Sequence, residues 1–396
     1  MHIMQNRHFG RNNFQRRTNR AGQTKTELVS AIRAIQFSQK QKDTQIRSAY
    51  ISRFRFEDFP ISAVLKKNIL DRQYHSPTPI QDQAIPAILA GQDIIGIANT
   101  GTGKTLAFLI PLIDKVLKNR TEKVFIITPT RELALQINQE LQFFVKGMGI
   151  HSALCIGGMN IKRQENELRR NPNFVVGTPG RIKDLMQQKV LSLSQFHSVV
   201  LDETDRMVDI GFIDDIKYFI SFLPRERQSL FFSATVSPKV QEIIRAFVRQ
   251  ATTISVKQQD TAETIDHDIV KIENGQKKID KLHDLLIQGE FKKVLIFGRT
   301  KWGIQKLAGE LTKRGFKVGA IHGNKRQSQR LRTLEQFKRS EINILLATDV
   351  ASRGLDIEDI SHVINYDIPA TYEDYIHRIG RTGRVDKKGV ALTFIE

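Results

Sequence analysis

The stretch Asn99-Thr100-Gly101-Thr102-Gly103-Lys104-Thr105 has the residue types and spacing to hold a phosphate chain. Its glycines let backbone N–H groups and a helix N-terminus face phosphate oxygens. Lys104 is placed to reach the β- and γ-phosphates, and Thr105 to bind Mg2+. A generic loop of this kind carries glycine where Ala98 stands. A plain strand-to-helix turn would not call for Lys-Thr after the last glycine. Further on, Val199–Leu201 delivers Asp202-Glu203-Thr204-Asp205. A carboxylate at a strand end, downstream of a phosphate loop, is the expected magnesium holder, here Asp202. Glu203 beside it suits orienting or deprotonating an attacking water. Alone, an acidic tetrapeptide is a solvated turn; with the loop upstream, the pair points to hydrolysis of a nucleoside triphosphate.

These groups need strands that end at one rim. Short β-rich runs recur at Asp93–Ala98, Lys123–Thr128, Asn173–Gly177, Ser198–Asp202 and Ser229–Ser233, with helix-length segments between them. That alternation predicts βαβ units and a mainly parallel sheet. Residues 256–264, a polar stretch without apolar period, read as a linker. The pattern then restarts at Lys293–Phe297, Val318–His322, Asn343–Thr348, His362–Tyr366 and Val390–Ile395. The expected fold class is therefore α/β, with two tandem parallel-sheet domains over 56–255 and 265–396. Ligands of open α/β sheets sit beyond the carboxyl ends of the strands, and the residues singled out above follow strands.

The chain has 396 residues, a formal net charge of +19, 40% hydrophobic residues and one cysteine. This composition excludes a wholly disordered or collagen-like chain. No apolar run is long enough to span a bilayer, and the N-terminus lacks a secretory apolar core. Cys155 has no partner for an intrachain disulfide or a cysteine zinc site. A soluble, cytosolic protein that binds nucleic acid is the expectation. Residues 1–55 hold 12 Lys/Arg and 2 Asp/Glu, so more than half of the charge sits there. The first 24 residues read as a disordered arm that attracts nucleic acid. Thr24 and Glu27 then form a capping box ahead of Leu28, Ile32 and Ile35 at helical spacing.

The residues resemble the DEAD-box ATP-dependent RNA helicases of superfamily 2, from Phe56 to the end of the chain. Tyr74-His75-Ser76-Pro77-Thr78-Pro79-Ile80-Gln81 is similar to the family's Q motif. By that resemblance Gln81 reads the adenine edge, Tyr74 stacks on the base, and Phe56 is the aromatic upstream. Ala98–Thr105 matches the helicase form of the phosphate loop. Pro129-Thr130-Arg131-Glu132, Gly157-Gly158 and Thr178-Pro179-Gly180-Arg181 resemble RNA-backbone motifs. Ser233-Ala234-Thr235, with Asp205, resembles the element that links hydrolysis to duplex separation.

In the second half, Ile296 to Lys301 is similar to the motif after that domain's first core strand, bringing Arg299 to RNA. Gln327 and Arg330 resemble the QxxR element. The segment Ala347 to Asp356 resembles motif V, implying RNA contact by Thr348 and ribose contact by Asp356. His377-Arg378-Ile379-Gly380-Arg381-Thr382-Gly383-Arg384 matches motif VI, with Arg381 and Arg384 as arginine fingers and His377 in coupling. Spaced i, i+3, the two arginines are expected on one helical face. Fingers supplied by a second domain make hydrolysis depend on domain closure.

The resemblance implies two RecA-like domains, ATP and Mg2+ as ligands, RNA bound mainly through its backbone, a monomer, and a cytoplasmic location. Three departures stand out. Thr204 replaces the family's alanine, Gln73 replaces the usual glycine, and the chain ends at Glu396 on its last strand, where the family adds a further helix. The last implies a shortened second domain or a fragment. A non-unwinding, ATP-gated RNA clamp and a DNA-directed superfamily 2 ATPase are the competing readings.

Overall fold

The computed structural model describes residues 28–36, 50, 52–99, 101–256, 265–273, 275–288, 291–352, 357, 359–383 and 389–395. These divide into two compact units: residues 50–256, and residues 28–36 together with those from 265 onward. The expected disordered arm, most of the 256–264 linker, and Thr100, Asp356 and Arg384 lie outside the described residues.

Residues 28–36 form helix α1. The first unit follows with a 3-10 turn at Phe56–Asp58, then α2 (Ala63–Asp71), α3 (Pro79–Leu89), β1 (Asp93–Ile97), α4 (Lys104–Lys118), β2 (Val124–Ile127) and α5 (Arg131–Phe144). It continues with β3 (Ser152–Cys155), α6 (Ile161–Arg169), β4 (Phe174–Gly177), α7 (Pro179–Gln187), β5 (Ser198–Leu201), α8 (Thr204–Ile210) and α9 (Ile213–Phe222), and closes with β6 (Gln228–Ser233), α10 (Pro238–Phe247) and β7 (Ala251–Ser255). The seven strands form one sheet in the order β3-β4-β2-β5-β6-β1-β7, every pairing parallel. Successive residues alternate between two cores. Val124 and Ile126 of β2 enter one, Phe125 and Ile127 the other. Helices therefore cover both faces, and central strands read as unbroken apolar runs.

The second unit contains β8 (Ile265–Lys271), α11 (Lys278–Leu286), β9 (Val294–Phe297), α12 (Lys301–Lys313), β10 (Val318–Ile321), α13 (Gln327–Lys338), β11 (Ile344–Ala347), α14 (Asp349–Ser352), β12 (His362–Asn365), α15 (Tyr372–Ile379) and β13 (Gly389–Ile395). Its sheet runs β10-β11-β9-β12-β13-β8, again all parallel. Helix α1 belongs to this unit, far from it in sequence. Leu28 and Ile32 are buried with Ile265, Tyr375, Ile379 and Ala391. Gln36 Nε2 donates to the carbonyl of His267 at 2.5 Å.

Each of the ten strands expected from sequence is present, within a residue or two at its ends. Three more were not anticipated: β3, β7 and β8, of which β3 and β8 lie at sheet edges and β7 closes the first sheet beside β1. β3 is short, β7 is more polar, and in β8 buried and exposed residues alternate over much of the strand.

Candidate functional site

Strand β1 leads through Ala98, whose N–H donates to Ser233 O at 3.0 Å, into the phosphate loop. Gly103 caps α4 at φ 91, in the left-handed region. A Cβ there would lie 2.4 Å from Gln81 Nε2 and 2.9 Å from Thr78 Oγ1, so the position admits only glycine. That close approach is used. Thr78 Oγ1 donates to Thr102 O at 2.7 Å, and Gln81 Nε2 donates to Gly103 O at 3.0 Å. Gln81 Oε1 accepts the Thr78 N–H at 2.9 Å, closing the box that starts α3. Thr102 Oγ1 donates to Asn99 O at 2.8 Å. Lys104 is buried, its Nζ donating to Ala98 O at 2.7 Å, and Thr105 follows half-buried, while Gly101 is exposed.

Tyr74 is 37% exposed, with its ring stacked on Phe144 at 6.4 Å between centroids. Phe56 is 2% exposed and packs edge-on against Phe59, so its ring belongs to the core. Its N–H donates to His75 O at 3.3 Å, tying it to the loop that leads into α3. Gln73 adopts φ 62, so the backbone there does take the conformation that favours glycine. Sequence reasoning passed over Asp82. Its carboxylate accepts from Tyr50 Oη, Ser52 Oγ and the N–H groups of Arg53 and Phe54, at 2.5–3.1 Å. It thereby fastens the preceding segment onto α3, where a cavity of about 710 Å³ opens toward Ser76 and Pro77.

The acidic tetrapeptide leaves β5 into α8. Burial pushes the Asp202 carboxyl up to about 6; Lys104 opposes the shift, while Glu203 adds to it. Asp202 Oδ1 accepts the Glu203 N–H at 2.9 Å. Glu203 itself sits in the left-handed region, φ 51 and ψ 49. Non-glycine residues rarely tolerate this without support from their surroundings. That support comes from Arg206, whose Nη1 lies 2.7 Å from Glu203 Oε2. Arg206 is also fully enclosed, and its Nη2 has no partner among the described residues.

Asp205 is a hub. Its Oδ2 accepts the N–H groups of Ala234 and Thr235 at 3.1 and 2.9 Å, and Thr235 Oγ1 at 3.2 Å. The Asp205 N–H donates to Ser233 Oγ at 3.3 Å, and Ser233 Oγ donates to Thr235 O at 2.8 Å. Thr204 is buried, its hydroxyl 3.5 Å from Leu201 O, at the limit of a hydrogen bond.

Six residues expected at RNA converge on one pocket of about 240 Å³: Pro129, Arg131, Gly157, Thr178, Gly180 and Arg181, joined by Asp184 and Phe212. They come from the ends of β2, β3 and β4 and the starts of α5 and α7. Thr130 caps α5, accepting the Leu133 N–H at 3.3 Å, and Thr178 caps α7 ahead of Pro179. Gly158 adjoins the pocket at the surface.

In the second unit, Arg299 is exposed after β9. Gln327 and Arg330 are buried on α13, and Arg330 Nη2 donates to Ala351 O at 3.4 Å. That bond ties α13 to the segment containing Thr348, which is half-buried after β11. One expectation is corrected. Helix α15 ends at Ile379, so Arg381 is not on it, contrary to the expected helical face; Arg384 lies outside the described residues. Gly380 caps the helix and Gly383 turns at φ 67, while Thr382 Oγ1 bonds Ile360 O. Arg381 is buried within this turn, and His377 is half-buried on α15.

The arginine that organises this region was assigned no role from sequence. Arg378 holds Asp349 with two hydrogen bonds, 2.6 and 2.8 Å, and donates to Asn365 Oδ1 and Asp367 O. Its guanidinium also lies 5.1 Å from the Phe297 ring centroid. This two-bond geometry is specific to arginine. It fastens α14, α15 and the ends of β9 and β12 together. Pairs so distant in sequence carry no local signal, whereas Arg206, three residues after Glu203, was within reach of an i, i+3 argument.

Residues 78–243 match the family described as DEAD/DEAH box helicase. Residues 277–386 match the helicase conserved C-terminal domain. The ATP-dependent RNA helicase CshA of Listeria monocytogenes is 42% identical over 344 residues, 86% of this chain. The chain spans 66% of the length of that curated relative. Among solved structures, S. cerevisiae Dbp5 bound to RNA and ADP BeF3 is 32% identical with a TM-score of 0.77, over 86% of this chain and 89% of that one. A DEAD box protein from Methanococcus jannaschii is 37% identical with a TM-score of 0.52, over 87% and 94%.

Proposed function

The chain belongs to the DEAD/DEAH box helicase family, and on that premise we propose that it is an ATP-dependent RNA helicase. It would convert ATP and water to ADP and phosphate when stimulated by RNA, and spend that turnover on local duplex opening or remodelling. The observation that carries this reading is the continuous buried network of the first unit. Lys104 Nζ donates to Ala98 O, the Ala98 N–H donates to Ser233 O, and Asp205 accepts the N–H groups of Ala234 and Thr235. Nucleotide chemistry and the Ser233–Thr235 element are thus joined by hydrogen bonds.

Lys104 and the N–H groups opening α4 bind the phosphates, with the helix dipole favouring their charge. Gln81 and Tyr74 orient the adenine. Asp202 and Thr105 would hold Mg2+. They fit it: the Asp202 carboxyl, disfavoured as a charge by burial and by Glu203, gains from an adjacent cation. When bound, the ion neutralises charge on the phosphates. Glu203 orients the attacking water through the carboxylate oxygen that Arg206 does not occupy. Arg381 and Arg384 serve as arginine fingers, making turnover contingent on both units. Pro129, Thr130, Arg131, Gly157, Gly158, Thr178, Gly180 and Arg181 hold the RNA backbone in one unit, and Arg299, Gln327, Arg330 and Thr348 in the other. The Asp-Glu-Thr-Asp variant keeps every carboxylate.

The test is ATPase activity with no nucleic acid, with RNA and with DNA, for wild type, Lys104→Ala and Glu203→Gln. RNA is expected to stimulate the wild type and neither variant. Near-normal turnover in either variant would sink the mechanism, and equal stimulation by DNA would sink the RNA assignment. Among the described residues no helix is long and apolar enough to cross a membrane. We assign a cytoplasmic location and a monomer, the latter checked by light scattering. The basic arm is assigned to phosphate contacts, so removing residues 1–24 should flatten the dependence of RNA affinity on salt. A deletion to residue 55 is unsuitable, because it also strips α1 from the second unit.

A further inference from the structure

Trp302 is the chain's single tryptophan, and 71% of it is exposed. It lies in the first turn of α12, whose core-facing stripe is Ile304, Leu307, Ala308 and Leu311. At 100° per residue, a side chain two positions before Ile304 points well away from that stripe. Burying a tryptophan removes a large apolar area from water, yet here the ring is left to solvent, with no ring or cation stacked on it among the described residues.

Its surroundings are cationic. Arg299, Lys301, Lys306 and Arg326 are exposed and Lys325 half-buried. Lys301 Nζ bonds Asn324 Oδ1 at 3.0 Å, tying the start of α12 to the turn that carries Lys325 and Arg326. On the same side Gln305 bonds His322 Nε2 at 3.0 Å. The adjacent carboxylate, Asp367, is already engaged: it accepts the Arg299 N–H at 2.7 Å and lies 3.7 Å from Lys278 Nζ. An exposed indole flanked by cations that no carboxylate among the described residues pairs suits a chain of alternating bases and phosphates.

We propose that Trp302 is a stacking platform for one base of single-stranded RNA. It would add an aromatic contact to the backbone contacts assigned to Arg299 and, through the following turn, to Gln327 and Arg330. This rests on the RNA-helicase reading above. Base–aromatic stacking tolerates any base and supplies affinity without sequence choice. The contact therefore adds grip on unpaired RNA. It is unavailable to a base still stacked inside a duplex.

A single tryptophan makes the test direct. The full chain is titrated with a ten-nucleotide oligouridylate and with an abasic ribose-phosphate oligomer of the same length, each with a non-hydrolysable ATP analogue. Tryptophan emission and the anisotropy of end-labelled oligomer are followed together. The expected result is quenching by oligouridylate and not by the abasic oligomer. Trp302→Ala should weaken oligouridylate binding about five- to a hundred-fold, leave abasic binding unchanged, and unfold at the wild-type midpoint. Trp302→Phe should recover most of the loss. Unmoved emission on saturation overturns the proposal, as does an Ala variant with wild-type affinity or with equal losses on both oligomers. RNA-stimulated ATPase of the wild type, run in parallel, reports separately on the reading beneath it.

Discussion

Glu203 and Arg206 are bound to each other in the interior of the first unit, Oε2 to Nη1 at 2.7 Å, with side chains 6% and 2% exposed. The residue assigned to position water is therefore also half of a buried ion pair, held in a left-handed backbone. Breaking such a pair on one side leaves a charge stranded and costs about 3–5 kcal/mol. Arg206→Met should lower the stability of the first unit by that order in urea unfolding; an unchanged midpoint would show the pair to be energetically idle. Glu203→Gln keeps a hydrogen-bonding partner for Arg206. It should stay folded while losing about 10²–10⁴-fold in turnover.

The Asp205 hub is assigned to coupling hydrolysis with its use. Ser233→Ala with Thr235→Ala removes the two hydroxyls bonded around Asp205 but leaves the backbone N–H groups of Ala234 and Thr235 in place. We expect RNA-stimulated ATPase within a few-fold of wild type and strand displacement at least about ten-fold lower. Parallel losses in both assays would refute the coupling role.

Thr204 should matter little. Among the described residues its hydroxyl reaches Leu201 O alone, at 3.5 Å. Thr204→Ala is expected to change stability by under about 1 kcal/mol and to leave ATPase and displacement alone. A large gain in displacement would instead show that the threonine blunts coupling.

Cys155 gives a pH handle. Burial pushes its thiol up to about 12, with a smaller contribution from Glu167. The reactive thiolate is thus nearly absent at pH 8, and the native chain should resist alkylation until it unfolds. The sign for stability follows: with its folded value raised above the unfolded one near 8.5–9, this group favours folding less as pH rises from about 9 toward 12. Cys155→Ser should remove that part of the alkaline decline. Rapid labelling of the native chain would contradict the burial.

Helix α1 should behave as part of the second unit. Ile32 is fully buried against Ile265, Tyr375 and Ile379. Ile32→Ala should cost about 2–5 kcal/mol and raise hydrogen exchange in α15. Exchange raised only within residues 28–36 would mean the helix docks without supporting α15.

The central strands and the phosphate loop were legible because their signals are local: apolar runs such as Val124–Ile127, and a glycine-lysine-threonine loop between strand and helix. β3, β7 and β8 escaped because short or half-polar strands look like loops until a neighbour pairs with them. Arg381 was misplaced on a helix because i, i+3 spacing ignores Gly380, which ends α15 first. The Asp82 clamp, the Arg378–Asp349 pair and the seat of α1 each join segments remote in sequence. No periodicity reveals such pairs.

The seat of α1 has a consequence for synthesis. Gln36 meets its acceptor His267 across 231 residues of chain. The apolar surface that covers it is complete only once Ala391 has been made, so at roughly 5–20 residues per second the ribosome would expose this amphipathic helix for roughly 20–70 s before its binding surface exists. During that interval Leu28 and Ile32 have no native cover, and the first unit can fold completely. This helix, made before the first unit, is among the last pieces to reach its place.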